Sequence, residues 1–527
     1  MNTTSSLPWL TILALLPLVG SLLLAFVRGV VAKQAALAMS LLTLAAAVVI
    51  ALQYRVGGGM QLTEQVSWIR ALGAHYALGL DGIGLTLVIL VVVVTPVVIV
   101  ASWNDFDVNP DAPMVATSTG FGTGVAPKYD ARLFFALVLA VESCALFLFL
   151  ATDVFLFYVF FEVILIPMYF LIGGFGGARR AYAASKFLIF GLLGGFVMLA
   201  SVIGLYVLSA RAGNATYLLS DLSQLEIGTG TERWLFLGFM FAFAIKAPLV
   251  PLHTWLPDAA EESSPGGAVM MVGVMDKIGT FGMIRFCLGL FPEASQWATP
   301  AVLILATVSI LYGAILAIGS RDLMRFVAYT SISHFGFIVL GIFAFTSQSL
   351  VGSTLYMLNH GLSTAALFLV AGFLIKRRGS RDIGDFGGVQ KVAPVLAGLM
   401  LFAGLSTLSL PGLSSFVSEF MVLAGTFSRH PVYASVSTLA IVLAALYILI
   451  VYQRTMTGPV TPQVRDTVTS DLSGRERLSL VPLVLLIVVL GVFPKPMLDV
   501  IEPAVQTTMQ HVGVTDPQPK VSAEGGR

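Results

Sequence analysis

The chain has 527 residues, of which 57% are hydrophobic and only 11% are charged. Water-soluble proteins carry about 25% charged residues, so this composition excludes an ordinary soluble enzyme. The 29 basic and 28 acidic residues nearly balance, which argues against a nucleic-acid partner. The composition predicts a protein of the lipid bilayer.

Long uncharged stretches follow one another along the chain, at residues 2–27, 34–54, 82–104, 187–210, 294–320 and 431–453. A helix needs about 20 residues to cross a bilayer, and each stretch meets that length. A β-barrel is excluded because runs such as LVILVVVVTPVVIV do not alternate. We therefore predict an all-α integral membrane protein with about fourteen spans, centred near residues 17, 44, 92, 141, 163, 197, 242, 277, 308, 334, 361, 408, 443 and 487.

Lysine and arginine are distributed unevenly between alternate loops. Seventeen lie in one set of loops: Arg28, Lys33, Lys128, Arg132, Arg179, Arg180, Arg321, Arg325, Lys376, Arg377, Arg378, Arg381, Lys391, Arg454, Arg465, Arg475 and Arg477. Five lie in the opposite set: Arg55, Arg70, Arg211, Arg233 and Arg429. Because positively charged loops stay in the cytoplasm, the bias predicts an even number of spans with both termini on the non-cytoplasmic side.

Two predicted spans are interrupted by proline and also carry an ionisable residue. The first reads AFAIKAPLVP around Lys246, and the second reads LSLPGLSSFVSEF around Glu419. Proline removes a helix hydrogen bond and frees carbonyl groups that water can contact. Paired broken helices in two halves of a chain are typical of inverted-repeat transporters that handle ions near the membrane midplane.

Several ionisable side chains lie inside the predicted spans: Glu142, Glu162, Lys186, Lys246, Asp276, Lys277, His334, His360 and Glu419. A charge at the centre of a membrane helix costs about 2.5 to 3.5 kcal/mol on insertion scales, so such residues pair, bind water or serve a function. Three lie near predicted helix ends or beside another charge: Glu142, Lys186 and Asp276. Snorkelling or a static ion pair explains those three equally well. The deeper Glu162, Lys246 and Glu419 favour a function.

Lysine, histidine and carboxylate side chains in one interior are suited to moving protons. Burial favours the neutral form of each group, whereas a neighbouring opposite charge favours the charged form. Each group therefore holds or releases its proton when its partner moves. The combination predicts a proton relay.

His334 and His360, on what should be successive helices, permit two other interpretations. They could be axial ligands of a b-type haem, although a haem leaves the buried lysine and glutamate residues unexplained. They also fit core histidines that bond to serine or threonine. Cys144 and Cys287 are the only cysteines in the sequence, too few to hold an iron–sulfur cluster. We expect neither a cofactor nor a metal in this chain.

Five longer motifs carry a family resemblance. They are LFYVFFEVILIPMYFLIGGFGG (156–177), AFAIKAPLVPLHTWLPDA (242–259), YTSISHFGFIVLG (329–341), HGLSTAALFLVAG (360–372) and LPGLSSFVSEFMVLAG (410–425). In this order they resemble the antiporter-like membrane subunits of respiratory NADH:quinone oxidoreductase, complex I. The resemblance extends over most of the chain, and it implies fourteen core helices, two inverted five-helix repeats and a polar axis in the membrane plane.

The resemblance implies roles for individual residues. The proton-translocating axis runs through Glu162, Lys246, Lys277, His334, His360 and Glu419. Its first member is the acidic partner on the fifth helix, and its two lysines lie on the broken seventh and on the eighth helix. The histidines continue the axis toward the glutamate on the broken twelfth helix. Three residues match auxiliary positions: Glu142, Lys186 and Asp258.

Some positions distinguish this chain from its relatives. Sister subunits typically have lysine where this chain has Glu419, and one branch of the family has glutamate. The segment that often reads PDAHTEAP reads PDAAEESS at 257–264, with Ala260 in place of histidine. Asp276 precedes Lys277 where an apolar residue is usual. Adjacent residues point to different sides of a helix, so the two need not pair. Asp276 can nevertheless alter the affinity of the lysine for protons.

The family implies a division into four regions. They are an N-terminal three-helix region at 1–131, a first antiporter-like repeat at 132–290, a second repeat at 291–456, and a last helix with the C-terminal tail at 457–527. The longer polar stretches (103–131, 211–233, 457–477 and the tail from 498) are predicted to be loops, because they are too short to enclose a core.

The family also implies where the redox groups lie. Flavin, iron–sulfur clusters and quinone are expected on other subunits, and no direct NADH binding is expected. The expected partners are other complex I membrane subunits, especially two sister antiporter-like subunits, within the lipid of an energy-coupling membrane such as the bacterial plasma membrane.

The sequence thus favours a proton-translocating membrane-arm subunit of an NADH:quinone oxidoreductase. Multisubunit sodium/proton antiporters and membrane-bound hydrogenases share most of the motifs and are the main alternatives. A stand-alone sodium or potassium/proton exchanger is another, and a passive scaffold is a third. Association with NADH oxidation discriminates among these, because only the first requires it.

Overall fold

The structure, a computed structural model, describes residues 7–106 and 126–518. The helices of the first half are α1 (Trp9–Leu23), α2 (Gly29–Gln53), α3 (Gly82–Ala101), α4 (Ala131–Leu150), α5 (Val154–Phe175), α6 (Arg180–Arg211), α7 (Thr229–Lys246), α8 (Trp255–Glu262) and α9 (Pro265–Leu288). Those of the second half are α10 (Pro292–Gly319), α11 (Leu323–Phe343), α12 (Ser347–Arg378), α13 (Pro394–Thr407), α14 (Ser414–Arg429), α15 (Pro431–Met456), α16 (Gly474–Val492) and α17 (Lys495–Val512). Single turns lie at Leu219–Leu222, Pro462–Thr467, Ile383–Asp385 and Val389–Lys391.

Most of these helices have the length and composition of membrane spans. In the described residues, 10 helices are long and apolar enough to cross a membrane, or 11 when α16 and α17 are taken as one span bent by 72°. Two more apolar helices, α1 and α13, are shorter. The prediction of a multi-span helical membrane protein is confirmed.

A short β-hairpin lies between α2 and α3 of this mostly helical chain, and the sequence analysis did not predict it. Strand β1 (Gln61–Ile69) pairs antiparallel with β2 (Ala74–Leu80). Gly73 closes the turn with φ +61°, a conformation that glycine adopts without strain. Strand β1 contains β-branched and aromatic residues, Thr63, Val66, Trp68 and Ile69, which fit a pleated surface. Hydropathy missed the strands because they lie between spans, outside any long apolar run.

The C-terminal segment also differs from prediction, because α17 is a helix rather than a loop. Its buried residues, Ile501, Val505, Met509 and Val512, recur every three or four positions and form one apolar stripe. This stripe packs against α3 and α12. Of the first predicted polar loop, residues 107–125 lie outside the described residues.

The interior is organised around α12. This 32-residue helix packs against α3, α9, α11, α13, α14, α16 and α17. The apolar lengths of α9 and α12 are buried entirely, whereas α2, α6 and α15 are more exposed. Their outer faces carry large apolar side chains such as Phe196 and Val442, as expected of surfaces that contact lipid. Side chains of α12 therefore lie farthest from the surrounding lipid.

Candidate functional site

Helix α7 ends at Lys246 because Pro248 lacks the amide hydrogen that would continue the helix. The carbonyl of Ile245 accepts a hydrogen bond from Trp255 Nε1 at 2.9 Å instead. Lys246 is only 2% exposed, and its Nζ lies 4.5 Å from the centroid of the Phe161 ring. Among the described residues this ammonium has no hydrogen-bond partner. It is a buried charge at a helix break, free to change partners.

Glu162 lies on α5 beside an interruption at Ile164, where Pro167 disturbs the hydrogen bonding one turn earlier. Its carboxylate occupies space left by Gly195 on α6, since a Cβ atom there would lie 1.5 Å from Glu162 Oε1. That oxygen has no hydrogen-bond partner in the described part of the chain. Glu162 and Lys246 interact electrostatically but make no direct hydrogen bond.

Lys277 lies in the centre of α9 and is fully buried. Two π-helical segments, Val269–Met275 and Met283–Leu288, flank its turn. Such segments are frequent at functional sites because they shift the backbone hydrogen bonds. The Lys277 Nζ donates to the carbonyl of Val272 at 2.6 Å and lies 2.7 Å from Nδ1 of His360. The structure therefore joins the central lysine directly to one histidine.

Asp276 is buried beside Lys277, and both its carboxylate oxygens lack a hydrogen-bond partner among the described residues. It interacts electrostatically with both Lys277 and Lys246. Gly279, three residues later on the same helix face, packs on the break after α7: a Cβ there would lie 2.6 Å from the backbone nitrogen of Ala247. Asp276 is therefore on the side of α9 that faces the break after Lys246.

His334 on α11 and His360 on α12 lie side by side, with ring centroids 5.3 Å apart. The Nδ1 atom of His334 is 2.6 Å from the hydroxyl of Tyr356, one turn before His360 on α12. The Nε2 atoms of both rings have no partner among the described residues.

Glu419 is the last of the predicted axis residues, which we call the series, and it lies on α14 just after the break that separates α13 from α14. Ser409 and Gly412 turn the chain there with φ of +62° and +94°. The Glu419 Oε2 atom accepts hydrogen bonds from Tyr356 at 2.7 Å and from Ser409 Oγ at 2.6 Å. The break thus supplies one donor to this carboxylate, and α12 supplies the other.

The six predicted axis residues consequently fall into two groups. Lys277, the two histidines and Glu419 are connected through side-chain contacts and the hydroxyl of Tyr356. Glu162 and Lys246 lie together but have no hydrogen bond to the connected group. Sequence reasoning missed Tyr356 and Ser409, because nothing distinguishes this tyrosine from the other 13 of the 14 in the chain.

The auxiliary residues lie apart from this series. Lys186 Nζ and Asp258 Oδ2 form an ion pair at 2.7 Å, and Arg325 also binds Asp258. This pair continues into a network whose other members are Arg179, Glu261, Glu262, Asp322 and Arg381. Glu142 is buried on α4 and both its carboxylate oxygens lack a hydrogen-bond partner among the described residues.

Asp322 caps α11 by accepting from the backbone amides of Met324 at 2.8 Å and Arg325 at 2.9 Å. Burial raises the pKa of Asp322 to about 6, although Arg381 at 3.3 Å acts in the opposite direction. The network therefore includes a carboxylate whose protonation changes in mildly acidic conditions.

Among the described residues, no group of three or more histidine, cysteine, aspartate or glutamate side chains is arranged to hold a metal ion. Cys144 and Cys287 are both buried and unpaired.

Comparison with known sequences gives consistent matches. The family model for the membrane part of NADH:quinone oxidoreductase/Mrp antiporter proteins matches residues 151–446. The chain is 51% identical to NADH-quinone oxidoreductase subunit M of Mycobacterium tuberculosis (strain ATCC 25618 / H37Rv), over 98% of this chain and 97% of that protein. It is 34% identical to NADH-quinone oxidoreductase subunit M of Escherichia coli (strain K12), over 90% and 92%. It is 32% identical to NADH-ubiquinone oxidoreductase chain 4 of Arabidopsis thaliana, over 95% and 96%.

Solved structures share the fold. A chain of respiratory complex I from Thermus thermophilus with bound NADH is similar with a TM-score of 0.84 and 30% identity, covering 96% of this chain and 100% of that one. A chain of the Mrp complex from Dietzia sp. DQ12-45-1b is similar with a TM-score of 0.79 and 22% identity, covering 96% and 100%. The second likeness is one of fold alone.

Proposed function

This chain belongs to the subunit M branch of the NADH:quinone oxidoreductase/Mrp antiporter family, and from that premise we propose that it translocates protons in the membrane arm of an NADH:quinone oxidoreductase. Its own residues perform no redox step in this proposal. Flavin, iron–sulfur clusters and quinone reside on other subunits, and their reactions drive charge movements in this chain.

One observation carries the proposal: titratable side chains connect Lys277 to Glu419 across four helices of a buried interior. Moving one proton against 100 mV takes about 2.3 kcal/mol, so the path needs groups that exchange protons with each other rather than with lipid. Static core packing does not require so many ionisable groups in contact. A relay does, because each member must both accept a proton and pass it on.

In the proposed cycle, a change in a neighbouring subunit alters the interaction between Glu162 and Lys246. Lys246 then loses its proton toward Lys277 and the histidines, and Glu419 passes a proton outward. The Lys246 Nζ atom makes no hydrogen bond to any described residue. This supports the proposed order of steps, because an ammonium without a hydrogen bond can change partners without breaking one.

The proposal includes the finer architecture of the family. We propose fourteen spans, with inverted five-helix repeats at 132–290 and 291–456 and the regions 1–131 and 457–527 outside them. The breaks after α7 and after α13 support the repeats, since each lies beside a titratable residue. The charge bias of the loops supports termini outside the cytoplasm of a bacterial plasma membrane, with sister antiporter-like subunits as neighbours.

The test uses inverted membrane vesicles that contain the whole complex. Lys246→Met keeps a similar side-chain length but removes the charge, whereas Lys391→Met removes an exposed lysine far from the series. NADH-driven acidification and NADH:quinone electron transfer are measured together, and native gels report assembly. We expect Lys246→Met to lower both activities about tenfold or more, as loss of a proton-transfer group does, while Lys391→Met leaves both unchanged.

Two results would contradict the proposal. Unchanged acidification in an assembled Lys246→Met complex would remove Lys246 from the path. Loss of sodium-driven proton exchange, with NADH-driven acidification intact, would instead identify a sodium/proton antiporter.

A further inference from the structure

The hydroxyl of Tyr356 occupies the gap between the histidines and the terminal glutamate. It lies 2.6 Å from His334 Nδ1 and donates to Glu419 Oε2 at 2.7 Å. The tyrosine is fully buried on α12, and its partners are on α11 and α14. A single oxygen thus connects three helices at a point where His334 and Glu419 make no hydrogen bond with each other.

We infer that Tyr356 is the link through which a proton passes between His334 and Glu419, an inference that rests on the proposed function. A hydroxyl can accept one hydrogen bond while it donates another, so it can take a proton from one side and release its own on the other. Phenylalanine would fill the same volume without this property.

The hydrogen bonds determine which histidine nitrogen carries the proton. Because Tyr356 donates to Glu419, it accepts from His334, whose proton is therefore on Nδ1 and whose Nε2 has a free lone pair. The Lys277 ammonium donates to His360 Nδ1, so the proton of His360 is on Nε2. Neither Nε2 atom has a hydrogen-bond partner among the described residues, and the two ring centroids are 5.3 Å apart. In these tautomers one Nε2 atom is a donor and the other an acceptor.

Each proton-transfer step then balances. Lys277 gives a proton to His360 Nδ1. His360 releases its Nε2 proton to His334 Nε2 after the two neighbouring rings reorient to bring these atoms into hydrogen-bond contact. His334 releases its Nδ1 proton to the Tyr356 oxygen, which releases its own hydroxyl proton to Glu419 Oε2. At the end Lys277 is neutral, Glu419 is protonated, and the tyrosine and both histidines are neutral again. Both histidines are left in the opposite tautomer, so the series must return to its first state before it carries a second proton.

Removal of the hydroxyl takes the hydrogen-bond partner from His334 Nδ1, but it leaves other contacts of Glu419 and of the tyrosine ring in place. Glu419 Oε2 keeps its hydrogen bond from Ser409 Oγ at 2.6 Å. The aromatic ring keeps its packing against Phe337 and His334. The Tyr356→Phe variant therefore tests the contribution of the hydroxyl separately from that of the aromatic ring. Tyr217→Phe is the matched control, because it removes the hydroxyl of a buried tyrosine whose ring packs against Phe155 and Tyr206, away from His334 and Glu419.

The test compares Tyr356→Phe, Tyr217→Phe and Glu419→Gln in inverted vesicles, with assembly checked on native gels. NADH-driven acidification is measured, and infrared difference spectra follow the carboxyl band that Glu419→Gln abolishes. We expect Tyr356→Phe to lower acidification about tenfold or more, as loss of a proton-transfer group does, and to suppress the protonation change of Glu419. Tyr217→Phe should leave both unchanged.

Two outcomes are separable. If Glu419→Gln stops acidification and Tyr356→Phe does not, the role of Tyr356 is wrong while the proposed function stands. If Glu419→Gln itself leaves acidification unchanged, the proposed route fails and the inference fails with it.

Should Tyr356→Phe not assemble, a fluorinated tyrosine at position 356 keeps the ring and hydroxyl but makes the hydroxyl more acidic. An unchanged pH profile of acidification in that protein would overturn the inference, and a shifted profile would support it.

Discussion

Asp276 is the residue in the interior whose charge acts on two sites at once. Its carboxylate is buried, interacts electrostatically with Lys246 and Lys277, and forms no hydrogen bond with a described residue. When ionised, this carboxylate would stabilise both ammonium groups, because opposite charges interact strongly where water does not screen them. We therefore expect this aspartate to couple the two groups of axis residues, which no hydrogen bond connects.

Asp276→Asn tests that coupling, because asparagine keeps the shape of the side chain and removes its charge. We expect NADH-driven acidification to fall on the order of tenfold, equivalent to about 1.4 kcal/mol in a barrier, with assembly preserved. Acidification by inverted vesicles measures the effect, and the exposed Asp499→Asn serves as control. Equal acidification by both variants would contradict the coupling.

The sequence indicated the ionisable members of the series but not the hydroxyls between them. A lysine or glutamate in an apolar run is conspicuous because its burial is costly. A tyrosine in an apolar run is not conspicuous, because its aromatic ring can be buried in a membrane helix at little cost. Tyr356 meets partners 22 and 63 residues away, and only the packing of three helices brings them together.

At the scale of elements, the close contact between α9 and the end of α7 sets the distance between the two lysines. Gly279 makes the contact possible. A Cβ atom there would lie 2.6 Å from the Ala247 nitrogen and 2.7 Å from the Phe243 carbonyl oxygen. Both are backbone atoms, which cannot rotate away as a side chain does.

Gly279→Ala should therefore push the two helices apart. Overpacking of this kind typically costs about 1 to 3 kcal/mol, so we expect a lower melting temperature of the complex and reduced NADH-driven acidification. Gly398→Ala on α13 is the control, because nothing lies within 4 Å of its added Cβ atom. Melting followed by tryptophan fluorescence checks the prediction, and identical melting of the two variants would refute it.

Elements were predictable where hydropathy alone decides them. The long apolar helices fall near the predicted span centres, and the proline breaks occur at Pro248 and Pro411. The π-helical segments around Lys277 were not predictable, because a shift of backbone hydrogen bonds by one residue depends on neighbouring helices. The β1–β2 hairpin and α17 were missed because both are partly polar and lie outside the apolar runs.

At the scale of the whole molecule, one ion-pair network connects distant parts of the chain. It joins the ends of α6, α8 and α11 to the segment after α12 through Arg325 and Arg381. Its three arginines, Arg179, Arg325 and Arg381, belong to the predicted set of loops that is rich in lysine and arginine. The network therefore ties the two predicted repeats together at one side of the molecule.

Asp322 makes the stability of this network depend on pH. Unfolded aspartate has a pKa of about 3.9, whereas burial raises that of Asp322 to about 6. Between these values the folded chain binds more protons than the unfolded chain, so the free energy of unfolding falls as pH rises through this window. Below about pH 4 Asp322 is protonated in both the folded and the unfolded chain, so the free-energy cost of burying its charge disappears.

Asp322→Asn should remove this dependence, since asparagine caps helices equally well. Relative to the variant, the unaltered complex should lose at most about 1.4 kcal/mol per pH unit between pH 4 and pH 6. Melting temperatures of both complexes at the two ends of that window give the comparison. A difference between them that stays constant with pH would exclude Asp322 as the cause.

At this scale the composition predicted the location in the bilayer, and the long motifs predicted the family. The network was not predictable, although Lys186 and Asp258 were both identified. Ion pairing depends on which helix ends meet, and alternate-loop counting reports only the side of the membrane on which a charge lies.

The central position of α12 has one more consequence. This single helix carries both His360 and Tyr356, while Lys277, His334 and Glu419 are held by three other helices. One residue of rise along a helix is about 1.5 Å, and a hydrogen bond of ordinary length does not survive a displacement of that size. A slide of α12 by one residue would therefore break the contact of His360 with Lys277 and the contacts of Tyr356 with His334 and Glu419 at the same time. A single helix movement would thus interrupt proton transfer at both ends of the path.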